Sequence, residues 1–315
     1  MPDRAPQRKT NRIGIFAPTV LLLILIAAWS VAWLAMAREV RTRLDSARAA
    51  LIRNGGRADW SGERVFGYPF RLDLDLRTVD IEGPAGFGVA APRLAAEAFA
   101  FAPRHWVAVF PQGASVGLGP ASRVKIATLR ASLFEIDRSP PRLSIEAEGL
   151  AFARMQGTPT FKAASAFHLH TRAEGAGTGA LFVEMDDARL AAGGILSAAL
   201  AAQPLTIAAD LSFDHAGALA GASWPATVRA WSAAGGRLEV RQIALTAGSQ
   251  ALVIRGGVLT VGSDGALEGV LAGRLVEASR LSAGAAGAGG AAILTLSKGR
   301  LRLGPIELAA APRVF

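Results

Sequence analysis

Gly113-Ala114-Ser115-Val116-Gly117 has the G-x-S-x-G spacing with which α/β-hydrolases expose a nucleophilic serine on a sharp strand-to-helix turn. Leu118-Gly119-Pro120 follows it and starts no helix, so a turn between strands is the better expectation. Serine hydrolysis at Ser115 ranks last among the functional readings. His168 and His170, two residues apart, would share one face of a strand, yet zinc needs a third or fourth ligand. The other histidines, His105 and His215, bring no acidic pattern with them. Asp73 and Asp75 form an Asp-x-Asp on one strand face, but Arg71 and Arg77 share that face and would neutralise them in a solvated ladder. Asp186-Asp187 reads as the end of a strand. We therefore expect no catalytic, cofactor-binding or metal-ligating residue.

Composition narrows the classes further. Half of the 315 residues are hydrophobic and the mean hydropathy is +0.32, which excludes a disordered chain. Cys is absent, which excludes a disulfide scaffold and thiolate metal sites. The pI near 11.1 raises nucleic-acid binding, but the arginines are dispersed and Tyr68 is the only tyrosine. No phosphate-cradling loop of the Walker type is present.

The stretch Ile13–Ala37 contains no charged side chain and, as a helix, would rise roughly 37 Å against a hydrocarbon core of about 30 Å. Trp29 and Trp33, one turn apart near its end, suit a membrane-interface aromatic belt. Ala35-Met36-Ala37 would suit a signal peptide cleaved at Ala37, but the apolar run exceeds the usual 7–15 residues or so of such peptides. We expect an uncleaved transmembrane anchor at 13–37. Arg4, Arg8, Lys9 and Arg12 precede it, and Arg38, Arg41, Arg43, Arg48, Arg53 and Arg57 follow. The basic N-terminal flank and the ease with which long domains translocate favour a cytoplasmic tail at 1–12 and an exported remainder.

Behind the anchor, Val40, Leu44, Ala47 and Leu51 recur at helical spacing, predicting an amphipathic stalk over 38–56 that ends at Gly55-Gly56. The period then changes to two. Phe70 to Arg77 alternates apolar with charged residues, and short runs follow at Arg142–Glu146, Ala180–Met185, Pro204–Phe213 and Arg237–Leu245. Ala251–Val261 and Ala266–Val276 flank Gly262-Ser263-Asp264-Gly265, a strong hairpin cue, and a last run covers Gly299–Leu308. An apolar-turn-apolar unit echoes loosely at 235–246, 256–275 and 299–309. Helices are expected only at Gly194–Gln203 and Glu277–Ala292. The predicted fold class is mainly β: a transmembrane helix, a stalk helix, and an elongated, curved antiparallel sheet over 57–315, in one unit or two lobes meeting near 190–205.

Gly67-Tyr68-Pro69-Phe70-Arg71, with Trp60 and Arg64 before it, resembles the G-[FY]-P-F-R signature of the domain of unknown function 2125 family. Gly299-Arg300-Leu301-Arg302-Leu303-Gly304-Pro305-Ile306 is similar to that family's closing motif. The resemblance implies an N-terminally anchored periplasmic protein, distantly like the AsmA-type envelope proteins that handle lipids, and carries over no catalytic residue. Trp60, Gly67, Tyr68, Pro69, Phe70, Arg71, Gly304 and Pro305 would then be structural, with Pro69 fixing the start of the strand and Phe70 beginning its buried face.

The function expected from these observations is non-enzymatic: a single-pass protein of the bacterial inner membrane with its C-terminal domain in the periplasm. It would handle lipid or another lipophilic ligand, or maintain the envelope, through an apolar β-groove. The alternative is a tethered structural or adaptor module that binds another envelope protein. No cofactor and no nucleic-acid partner is expected.

Overall fold

The computed structural model describes residues 13–119, 122–135, 138–154, 161–191, 203–219, 221, 223–278 and 290–314. Helix α1, Ile13–Arg53, is a single uninterrupted helix of 41 residues, so anchor and stalk form one rod of about 61 Å. Its end follows from Gly55, whose φ of +81° suits the left-handed position after a helix. There the Gly56 N–H donates to the Leu51 carbonyl (3.0 Å) and the Gly55 N–H to that of Ile52 (3.0 Å), satisfying two carbonyls left open by the last turn.

After α1 the described residues make one antiparallel sheet of 16 strands. They are β1 Arg57–Phe66, β2 Arg71–Glu82, β3 Phe87–Phe99, β4 Trp106–Phe110, β5 Ala114–Leu118, β6 Ser122–Phe134, β7 Arg142–Arg154 and β8 Phe161–Gly175. The second half holds β9 Thr178–Leu190, β10 Leu205–Phe213, β11 Leu238–Ala247, β12 Gln250–Val261, β13 Leu267–Glu277, β14 Gly290–Ser297, β15 Arg300–Leu303 and β16 Ile306–Ala310. Spatial order follows chain order, with one irregularity: β4 and β5 lie end to end between β3 and β6, sharing one place in the sheet. Pairing passes directly from β9 to β10, with Leu205 opposite Ala188 and Phe213 opposite Gly179.

Strand-interior bulges accompany this meander. Thr78 and Asp187 have positive φ inside β2 and β9. Gly149 in β7 also has a positive φ but stays in register with β6, where an added Cβ would stand 2.8 Å from the Cβ of Ala127. Bulges bend a strand and increase its local twist. Asp186-Asp187 is therefore a bulge within β9 rather than a strand end.

Apolar residues of β3 to β10 pack into one cluster, including Phe110, Val124, Ile126, Leu129, Leu150 and Leu205. Those of β11 to β15 form a second around Val240, Ile254, Leu271 and Leu294. A third closes over helix α2, Trp224–Ala233, which packs Val228 and Trp231 against Phe213 and Val261. Helix α2 was not anticipated from sequence. Its signals are Ser223, whose hydroxyl accepts from the Ala226 N–H, Pro225 in the first turn, and Gly235-Gly236 beyond the end. Of the two helices that were anticipated, 194–202 lies outside the described residues, as does 279–289 of the other. The ends of the latter are strand: Glu277 closes β13, and Gly290 to Ala292 open β14.

Charged residues on the polar face are paired across strands. Glu174 on β8 accepts from Arg241 on β11, and from Arg172 at 3.1 Å. The Arg241 hydrogen bond is the main reason its carboxyl is pushed down to about 2, from 4.5. A carboxyl depressed on folding stabilises the fold above its unfolded value, and that contribution fades as pH falls from about 4.5 towards about 2. Glu174→Gln should therefore lower the midpoint of thermal unfolding at pH 7 and flatten its fall between those pH values. Parallel acid titrations of the variant and the parent would check this.

Candidate functional site

The clearest built feature is the seam between α1 and the first strands. Along α1, Trp29, Trp33, Met36, Ala37, Val40, Leu44 and Arg48 meet the rest of the chain in a stripe at three- and four-residue spacing. Phe16 to Ala28, before the stripe, is exposed throughout. The predicted stalk is thus no spacer: it lies along β1 and β2, with Leu44 against Leu74, Leu76 and Val79.

The loop from Gly67 to Arg71 receives the first turns of the stripe. Gly67 has φ +103°, and a Cβ there would come within 2.9 Å of both the Arg71 carbonyl oxygen and an Asp73 carboxylate oxygen. Only glycine leaves room for that approach. The Arg71 N–H donates back to the Gly67 carbonyl at 2.9 Å, closing the turn. Two carbonyls of the loop then face α1: Pro69 accepts from the Trp29 indole (2.9 Å) and Arg71 from the Trp33 indole (2.8 Å). The Ser30 hydroxyl donates to the Ile26 carbonyl, so Tyr68 is the donor in its 2.8 Å hydrogen bond to Ser30. Tyr68 also meets the Trp33 ring edge-on, with centroids 5.6 Å apart. Trp33 itself is buried against Leu72, Ala37 and Ala100.

These contacts add to one expectation and correct another. The indole donors of Trp29 and Trp33 are taken by carbonyls of the chain itself, so these residues also fasten the helix to the domain. Phe70 does not begin a buried face: it is 66% exposed, while Leu72 begins the core. Trp60, in β1, pins the far part of the seam, with Arg48 4.9 Å above its ring.

Strand β2 departs from simple alternation for an electrostatic reason. Asp73 and Asp75 are buried, although their face was expected to be wet. Arg71 covers Asp73 (2.8 Å) and reaches Glu97 (2.7 Å), and Arg93 on β3 forks over Asp75 at 2.8 and 3.2 Å. Asp73 hydrogen-bonds Arg71 and Asp75 hydrogen-bonds Arg93, and each guanidinium is held charged more firmly than usual. A buried carboxylate persists where such partners satisfy it. For Asp75 the partner is Arg93, across the strand pair, and not Arg77.

Between α1 and the sheet opens a cavity of about 470 Å³, floored by Met36, Val40, Leu72 and Trp106 and rimmed by the Glu39–Arg43 pair. Its lining is mainly apolar, with Glu39, Arg43 and Arg104 as the charged residues.

The other residues singled out from sequence lie elsewhere. Ser115 sits inside β5, paired with Ala90 and Lys125, and β6 follows, so the segment is neither the expected turn nor a nucleophile elbow. His168 and His170 do lie on one face of β8, and His170 shares a 3.0 Å hydrogen bond with Ser144. Among the described residues no group of three or more His, Cys, Asp or Glu is placed to hold a metal ion. Gly304-Pro305 turns between β15 and β16, at the opposite edge of the sheet from the Gly67–Arg71 loop.

A family model described as "Uncharacterized protein conserved in bacteria (DUF2125)" matches residues 33–292. The chain belongs to the DUF2125 family. In this DUF2125 chain the match opens at Trp33, the buried indole of the seam, and closes before Gly304-Pro305. No curated protein and no solved structure matches it.

Sequence reading missed Ser30, Ala100 and Trp106, which complete the seam. Their only sequence signal is position: Ser30 stands between Trp29 and Trp33, Ala100 follows β3 and Trp106 opens β4. Trp33→Ala should cost about 3–5 kcal/mol, the range for emptying a packed tryptophan site. Trp33→Phe, which keeps most of the volume and orphans the Arg71 carbonyl, should cost about 1 kcal/mol. Unfolding of the full chain in detergent would rank the two.

Proposed function

We propose that this DUF2125 protein is a non-enzymatic, single-pass protein of the bacterial envelope, anchored through 13–37 in the inner membrane with its sheet in the periplasm. Its role is to take a lipid or lipophilic ligand onto the apolar face of that sheet. The observation that carries this reading is the composition of the largest apolar cluster. Phe152, Phe161, Phe167, Met185 and Ile207 stay only partly buried against it, and among the described residues no helix contributes to it. Apolar surface left partly open over several adjacent strands suits a partner that is itself apolar. The exposed apolar helix Phe16–Ala28 supports a bilayer as the source of that partner.

A second reading, a tethered adaptor, draws support from β16, the terminal strand of the sheet, where Ile306 is 53% exposed. An open strand edge accepts an extended peptide.

Benzophenone side chains placed at Phe167 and at Ile306 in the full chain, irradiated in intact cells, separate the two. Lipid adducts at Phe167, with none at exposed Arg172, are expected. Failure to find lipid at Phe167, together with a discrete protein adduct at Ile306, would replace the lipid reading with the adaptor.

A further inference from the structure

The uncharged run of sequence ahead of the first contact with the domain is too short for a comfortable span. Ile13 follows Arg12, and the first side chain to touch the sheet is Trp29. The roughly 16 residues between them rise about 24 Å, against about 30 Å of hydrocarbon. If α1 crosses the bilayer, the turn from Trp29 to Trp33 must lie at or within the interface. That turn is latched to Pro69 and Arg71, so it takes the Gly67–Arg71 loop to the same depth. A second loop goes with it, because the Ala100 N–H donates to the Phe70 carbonyl at 2.8 Å.

What these two loops present there is aromatic. Phe70 is 66% and Phe101 69% exposed, while Tyr68 and Phe99 are each about half exposed. Phe99 and Phe101 stack on one another with centroids 5.1 Å apart and, among the described residues, belong to none of the buried clusters. Four exposed rings at two tied strand ends gather apolar surface of the kind that marks an interaction site, beside the Arg71–Glu97 pair, and aromatic rings favour the headgroup level of a bilayer. Just beyond, Arg38 and Arg41 on α1 are exposed, placed for lipid phosphates.

We propose that Tyr68, Phe70, Phe99 and Phe101 form an aromatic foot that inserts into the bilayer interface beside α1, so that the sheet stands directly on the membrane. The inference rests on the anchor reading above, and its test separates the two. Because the chain contains no cysteine, single cysteines can be placed in the full chain without a background. Phe70→Cys and Phe101→Cys probe the foot, Leu22→Cys the span, and Pro84→Cys the exposed hairpin at the other end of β2 and β3. Each is spin-labelled and reconstituted into vesicles of phosphatidylethanolamine and phosphatidylglycerol. Collision rates are then measured with oxygen, which concentrates in lipid, and with a water-soluble nickel chelate.

At positions 70 and 101 the ratio of oxygen to nickel collisions should exceed that at 84 several-fold and approach that at 22. A ratio at 70 and 101 equal to that at 84, with 22 in lipid, overturns the foot and leaves the anchor standing. Exclusion of both reagents from 70 and 101 also overturns it, by showing a protein cover such as a second copy. An aqueous ratio at 22 overturns the anchor and the foot together. Both substituted phenylalanines are surface residues, and an unchanged far-ultraviolet circular dichroism spectrum confirms the fold of each labelled chain.

Discussion

Two indole N–H groups donated to two backbone carbonyls, from Trp29 to Pro69 and from Trp33 to Arg71, set the geometry on which the rest of the molecule depends. Indole is donor-only, and a carbonyl shielded from water needs a donor, so each group answers the other's requirement. Because the acceptors are main-chain atoms of a turn closed at Gly67, the latch fixes backbone to helix and not merely side chain to side chain. The lower half of α1 is thereby joined to β1 and β2 along its length. An apolar helix and a sheet that would otherwise be free to tilt against each other become one body.

The sheet beyond is organised by charge as much as by oil. On β2 a strict alternation of leucine and aspartate buries both faces: Leu72, Leu74 and Leu76 beneath α1, Asp73 and Asp75 beneath the guanidiniums of Arg71 and Arg93. Removing either arginine would leave a carboxylate buried without its partner, a far larger penalty than loss of an exposed ion pair. The same device recurs more loosely at Glu174 and Arg241 across β8 and β11. Lateral pairing carries the sheet from β1 to β16, while bulges at Thr78 and Asp187 bend individual strands.

Much of this was legible from residue order. The Gly262–Gly265 hairpin, the Gly55-Gly56 stop and the period-two runs identified the β-rich class, because turn chemistry and strand period are local properties. What was not legible depended on which surface covers which. Period two says that Asp73 and Asp75 share a face, but not that Arg93, distant in sequence, roofs it. An apolar helix face with tryptophans suits lipid and protein equally, so the docking of Trp29 and Trp33 needed the position of the Gly67 loop. Helix α2 was hidden for another reason: at 10 residues it offers few periods, and its cap and its terminating glycines read equally well as loop.

The seam also bears on how a sheet of this kind could exchange lipid with a bilayer. A lipid leaving the membrane exposes its acyl chains to water at a cost of about 25 cal/mol for each Å² of apolar surface. That cost falls if the receiving surface begins where the bilayer ends. The strand ends nearest the seam are those of β2, β3, β4 and β6, at Arg71, Phe99, Trp106 and Phe134, and the cavity lined by Leu72 and Trp106 opens among them. A neighbouring apolar cluster runs through Phe110, Leu129 and Ile145 towards Phe167 and Met185. A flexible stalk would hold this face at a variable height above the headgroups. Under the proposed function, a helix latched by backbone carbonyls would hold it at one height, the difference between a sheet that must wait for stray lipid and one that meets it at the membrane surface.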